Sequence, residues 1–127
     1  MLKLYHYSDY DFKGYIKPGY FGANSYSRAS ERVSGIKRSY FYVSKTGREW
    51  IFNGARFLYI AEISRGRLYD LNKDILRVKD NKKIKDIYTY IKRLGYSGII
   101  GSNGRAVAVL FTRIKIKNKL GLAGGIR

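Results

Sequence analysis

Apolar and aromatic side chains alternate with polar ones in several short stretches of this chain, which is the period of a strand with one buried face. Lys3-Leu4-Tyr5-His6-Tyr7 is the first, closed by Ser8-Asp9. Residues 38–44 (RSYFYVS) and 56–63 (RFLYIAEI) predict two more, rich in the aromatic and β-branched types that suit a pleated surface. Leu68-Tyr69-Asp70-Leu71 reads as a short strand or a turn, and 97–101, 107–111 and 114–117 read as closing strands. Ser102-Asn103-Gly104, between the first two of these, is hairpin-turn chemistry. The period changes at Ile84, Ile87, Tyr88, Ile91 and Leu94, whose three- and four-residue spacing predicts a helix over about 82–94. Asp80 or Asn81 would cap it and Gly95 would stop it. Short helical turns are expected around 28–33 and 46–53. Residues 11–22, with Gly14, Gly19, Gly22 and the sole proline Pro18, predict a shaped loop.

Strands in succession, one clear late helix and no βαβ rhythm point to an α+β domain. A chain of 127 residues suits one core and not two. Residues 1–117 are expected to form that single domain. Residues 118–127 (NKLGLAGGIR) read as a basic, glycine-rich tail, mobile or docked on a partner.

Charge narrows the partners. The 26 Lys+Arg against 9 Asp+Glu give a formal +17, spread from Lys3 to Arg127, so part of it must coat the folded surface. Such a field attracts nucleic acid, an acidic protein surface or a polyphosphate nucleotide; the plainer alternative is solubility. Lys82, Lys83, Lys92 and Arg93 on the outer helix face, with Lys115 and Lys117 on the closing strand, are the candidate nucleic-acid contacts, although paired bases on a helix are ordinarily a solvated surface. Without cysteine there is no disulfide, thiolate zinc site or thiol nucleophile, and one histidine argues against a metal site. The opening MLKLYHYSDYDFKG lacks the apolar core of an export signal, and no run approaches a membrane span, so a cytoplasmic protein with no membrane partner is expected.

Two features on predicted strands carry candidate chemistry. His6 is the one side chain with an ordinary pKa near neutrality, although a lone histidine on an aromatic strand is more often a core residue. Tyr40 and Tyr42 share one strand face, and adjacent rings suit stacking on a nicotinamide, an adenine or an unpaired base; alone, they read equally as sheet core.

In order and spacing, Leu4-Tyr5-His6-Tyr7-Ser8, Ser39-Tyr40-Phe41-Tyr42-Val43, Gly95-Tyr96-Ser97-Gly98-Ile99-Ile100, 107–111 and Ile114-Lys115 span most of the chain. Together they resemble the ADP-ribosyltransferase fold, in its small diphtheria-toxin-type or phage-associated versions. The resemblance implies a mixed, split β-sheet core with NAD in a cleft. His6 would hold the ribose hydroxyl and the nicotinamide amide, with Tyr7 and Ser8 on the same wall. Tyr42, or else Tyr40, would lie under the nicotinamide ring, and Arg28, Arg32 and Arg38 would meet the pyrophosphate. Nicotinamide leaves such sites through an oxocarbenium-like state steadied by a carboxylate. Here the chain departs from the pattern: the family's glutamate belongs near Ala106 or Val107, and Arg105-Ala106-Val107-Ala108-Val109 has no acid.

Three readings stay open. The acid comes from Glu49, Glu62 or Asp70, with Glu49 beside Trp50 preferred; or the domain binds nucleotide or nucleic acid without cleaving NAD; or the likeness is that of any tyrosine-rich β protein. The corresponding functions are an NAD-dependent mono-ADP-ribosyltransferase acting on a host nucleic acid or a nucleic-acid-associated protein, in the host cytoplasm if phage-encoded, or a basic binder of DNA, RNA or a nucleoprotein complex.

Overall fold

A computed structural model of the chain describes residues 1–19, 36–44, 54–101 and 107–122. Among these residues the strands are β1 (Leu2–Ser8), β2 (Tyr15–Ile16), β3 (Ser39–Tyr42), β4 (Phe57–Ile63), β5 (Leu68–Asp70), β6 (Gly98–Ile100), β7 (Val107–Leu110), β8 (Ile114–Lys115) and β9 (Asn118–Gly121). One α-helix, α1 (Ile87–Arg93), joins them. The expected helical segments at 28–33 and 46–53 and the turn at 102–104 lie outside the described residues.

Seven strands form one sheet in the order β5-β6-β7-β3-β1-β4-β9, and β2 with β8 forms a separate two-stranded ribbon. Among the described strands only β5 and β6 run parallel. A parallel pair needs a crossover, and the stretch from Leu71 through α1 to Ser97 supplies it. The result is a small single α+β domain with a mixed sheet, as the order of elements in the sequence predicts.

The alternation seen in the sequence becomes two apolar layers. On one face Leu4, Phe41, Tyr59, Ala61, Ala108 and Leu110 pack under Phe12, Ile16 and Ile114 from the ribbon side. On the other, Tyr69, Ile99 and Val109 pack against Ile91 of α1, with Val78 and Phe111. No helix among the described residues is long and apolar enough to cross a membrane.

Two elements differ from the sequence reading. The helix starts at Ile87, because the Asp86 carboxylate accepts from the amides of Tyr88 and Thr89 and takes the cap. Asn81 instead closes a turn, its side chain accepting from the Lys83 amide and its carbonyl from that of Ile84. At the other end, Gly95 adopts a φ of +98° and its amide bonds to the Lys92 carbonyl, as a left-handed stop requires. The second difference is the expected tail. Asn118–Gly121 pairs with β4 from Phe57 to Ile60, satisfying backbone groups that β4 would otherwise leave open along that edge. The Lys119 ammonium lies 4.5 Å from the Phe57 ring centre and bonds to Asp11, which pins this strand. Residues 123–127 lie outside the described residues.

Candidate functional site

β1 lies between β3 and β4, so the histidine strand and the double-tyrosine strand are neighbours. Their register pairs Tyr5 with Tyr42, while His6 pairs with Tyr59 of β4. Cross-strand partners share a face and successive residues alternate, which puts Tyr40 and Tyr42 with Tyr5 and Tyr7, and His6 with Phe41 and Tyr59. Ring geometry agrees: Tyr7 and Tyr42 meet edge to face at 6.3 Å, while His6 has Phe41 at 5.2 Å, Phe12 at 5.8 Å and Tyr59 at 6.4 Å. His6 and Tyr42 therefore lie on opposite sides of the sheet. Tyr40 meets His6 through its backbone carbonyl.

That backbone contact defines the state of the imidazole. His6 Nδ1 lies 2.7 Å from the Tyr40 carbonyl oxygen, which only accepts, so Nδ1 carries the proton and Nε2 is left as an acceptor. Burial among the rings holds the His6 pKa below the usual 6.5, against a smaller upward pull from the Tyr40 carbonyl. The unfolded chain thus takes up this proton more readily than the folded one. Stability is full above about pH 6.5 and declines as pH falls below it, toward the lower folded value. Thermal melts from about pH 7.5 to about pH 5.5 should show this decline, and His6→Asn, which keeps an amide donor for Tyr40, should flatten it. Beside His6, the Tyr59 hydroxyl donates to the Tyr10 carbonyl at 2.6 Å and accepts from the Phe12 amide at 2.8 Å. Ser8 is half-buried on the same strand face, its Oγ accepting from the Tyr10 amide.

Arg38 does not stand at a surface where a pyrophosphate would meet it. It is fully buried; Nε donates to the Tyr40 hydroxyl at 2.7 Å, Nη1 donates to the Ile36 carbonyl at 2.9 Å, and the guanidinium lies 4.9 Å from the Tyr88 ring centre. Its role is to tie β3 to α1. Arg28, Arg32 and Glu49 lie outside the described residues. Glu62 pairs across strands with Lys3, on the side of the sheet away from His6, and its carboxylate is 3.6 Å from Lys117. Asp70 is on β5, four strands from β1, or about 19 Å. Neither acid borders the histidine.

A different constellation lies between residues 65 and 93. Ten bases occur there against four acids, and all ten are exposed: Arg65, Arg67, Lys73, Arg77, Lys79, Lys82, Lys83, Lys85, Lys92 and Arg93. Three of the acids serve the backbone. Asp70 Oδ1 accepts from the amides of Asn72 and Lys73, and Asp86 caps α1. Asp74 accepts from the Tyr69 hydroxyl at 2.5 Å and from the amides of Val78 and Lys79. Burial, and then the Asp74 carboxylate, pushes Tyr69 up to about 12, so its hydroxyl remains a donor. Among the described residues every ion pair lies elsewhere, at Lys13 and Lys119 with Asp11 and at Lys117 with Glu62. Three of the four carboxylates here hydrogen-bond the backbone and none forms an ion pair, so ten bases against four acids leave the segment strongly positive.

The candidate nucleic-acid residues divide accordingly. Lys82, Lys83, Lys92 and Arg93 belong to this basic segment. Lys115 is exposed on β8, in the ribbon that covers the other face, and Lys117 already holds Glu62. Sequence reasoning missed Arg65, Arg67, Lys73, Arg77, Lys79 and Lys85. The Asx-turn spacings Asp70-Leu71-Asn72-Lys73 and Asp74 to Lys79, which spend acids on amides, were the available signal. No family model, curated protein or solved structure matches this chain.

Proposed function

We propose that this domain binds nucleic acid through the basic segment between β5 and β6, together with the turn before β5. The supporting observation is the use of acids there: ten exposed bases face solvent while three of four carboxylates are engaged with backbone amides. With ten bases against four acids and no ion pair among its described residues, such a surface attracts a phosphate backbone without first having to break a salt bridge. A labelled single strand of about 12 nucleotides should bind at roughly 50 mM salt and be released progressively by about 200 mM. Binding that an uncharged backbone analogue of the same sequence reproduces would count against the proposal.

A second reading rests on His6. It is neutral, its tautomer is fixed, and Nε2 has no partner among the described residues, within a ring of Phe12, Phe41 and Tyr59. An ADP-ribosyltransferase-like NAD site on this side would require the layer in which Phe41 and Tyr59 are buried beneath Phe12 to open. Saturating NAD should then raise the melting temperature, and His6→Ala should abolish both that shift and nicotinamide release. An unchanged melting temperature at millimolar NAD removes this reading and leaves the first intact.

A further inference from the structure

We propose that the cleft beside β5, the edge strand of the sheet among the described residues, receives one unpaired base of the bound strand and holds it by an exocyclic amino group. This rests on the nucleic-acid reading above and adds to it a site and a base preference.

The cleft measures about 320 Å³, and Arg65, Asp70, Lys73, Ile75, Leu76 and Tyr96 are among its lining residues. That is the small end of the roughly 300–1,000 Å³ typical of ligand sites, the scale of a base and not of a dinucleotide. Part of its wall is apolar, the rest carrying Arg65, Asp70 and Lys73. Ile75 and Leu76 stay 79% and 49% exposed, although the loop carrying them is firmly braced. The Leu76 amide donates to the Tyr69 hydroxyl at 3.0 Å, and Asp74, at a φ of 45°, holds the same hydroxyl and two further amides. A bare apolar pair on a braced loop, lining the same cleft as Tyr96, offers a base apolar contact.

Charge complementarity identifies the occupant. Arg65 and Lys73 are exposed at the cleft with no ion pair among the described residues, suited to flanking phosphates. Asp70 supplies the discriminating group. Its Oδ1 is taken by the amides of Asn72 and Lys73, while Oδ2 accepts nothing among the described residues. A half-buried carboxylate oxygen in this position accepts from an amino group of cytosine, adenine or guanine. Thymine and uracil have no amino group and present carbonyl oxygens on either side of their single N–H, so the carboxylate disfavours them.

Binding of oligo(dC) and oligo(dT) strands of equal length, at one salt concentration near neutral pH, tests this. The wild type should bind oligo(dC) about tenfold more tightly, the scale of one charge-assisted hydrogen bond. Asp70→Asn keeps an oxygen for the two backbone amides and replaces Oδ2 with a donor, so it should abolish or invert the preference. Leu76→Ala, which removes part of the cleft wall at a half-exposed position, should bring the ratio of affinities toward one. Equal, salt-sensitive binding of both strands by the wild type would overturn the base site while leaving nucleic-acid binding intact. No binding of either strand would overturn both.

Discussion

Reversing both charges in Lys82→Glu/Lys83→Glu should weaken binding to a short single strand by at least about tenfold and make that binding less sensitive to salt. Both ammonium groups are exposed, have no ion pair among the described residues, and follow the loop that Asp74 braces. Losing two phosphate contacts lowers the number of counterions released, and the introduced carboxylates repel the strand. Because neither side chain is packed, melting should shift by no more than about 0.5 kcal/mol equivalent. Lys115→Glu is the control for position. It reverses one charge, half the change of the double variant, on the ribbon over the opposite face and should leave affinity within about twofold.

The largest effect on stability is expected at Gly98. β6 is bounded by β5 on one side and β7 on the other, so it has no direction in which to move. A Cβ at Gly98 would overlap the Val109 carbonyl oxygen and come within 2.8 Å of Leu110 Cδ2 and 3.1 Å of Leu110 Cα. Two of these three atoms are backbone, fixed by the β6–β7 ladder in which Gly98 pairs with Leu110. Gly98→Ala should cost about 3 kcal/mol or more and lower the melting temperature by more than about 10 °C. Gly54→Ala separates steric overlap from backbone strain. At φ +95°, with nothing near its Cβ position, it should cost only about 1–2 kcal/mol.

The faces of single strands were legible in the sequence, since alternation in 3–7 and 56–63 already separates the buried set from the rest. The late helix was legible too, from the spacing of Ile87 and Ile91. Register between strands was not. A slip of one residue between β1 and β3 would have put Tyr42 beside His6, and nothing in either segment specifies the Tyr5–Tyr42 pairing. Arg38 looked like a surface cation because its chemistry is that of one; its burial depends on Tyr88, fifty residues away, stacking on the guanidinium. Asn118–Gly121 looked like a tail because glycine and lysine depress strand propensity, whereas the open edge of β4 decides the matter through backbone pairing. For the basic segment, counts of charge were visible, but which carboxylates remain available to neutralise it depends on turn geometry. Asp74 can bond Tyr69, Val78 and Lys79 at once only when the loop is folded.

The central claim is that the excess cations between residues 65 and 93 neutralise phosphates. Measuring the dissociation constant of a labelled single strand across a salt series tests it most directly. If about four phosphates are neutralised, the logarithm of affinity should fall with the logarithm of salt at a slope near −3, and more shallowly for the Lys82/Lys83 double variant. A flat response, or identical slopes for wild type and variant, would contradict it.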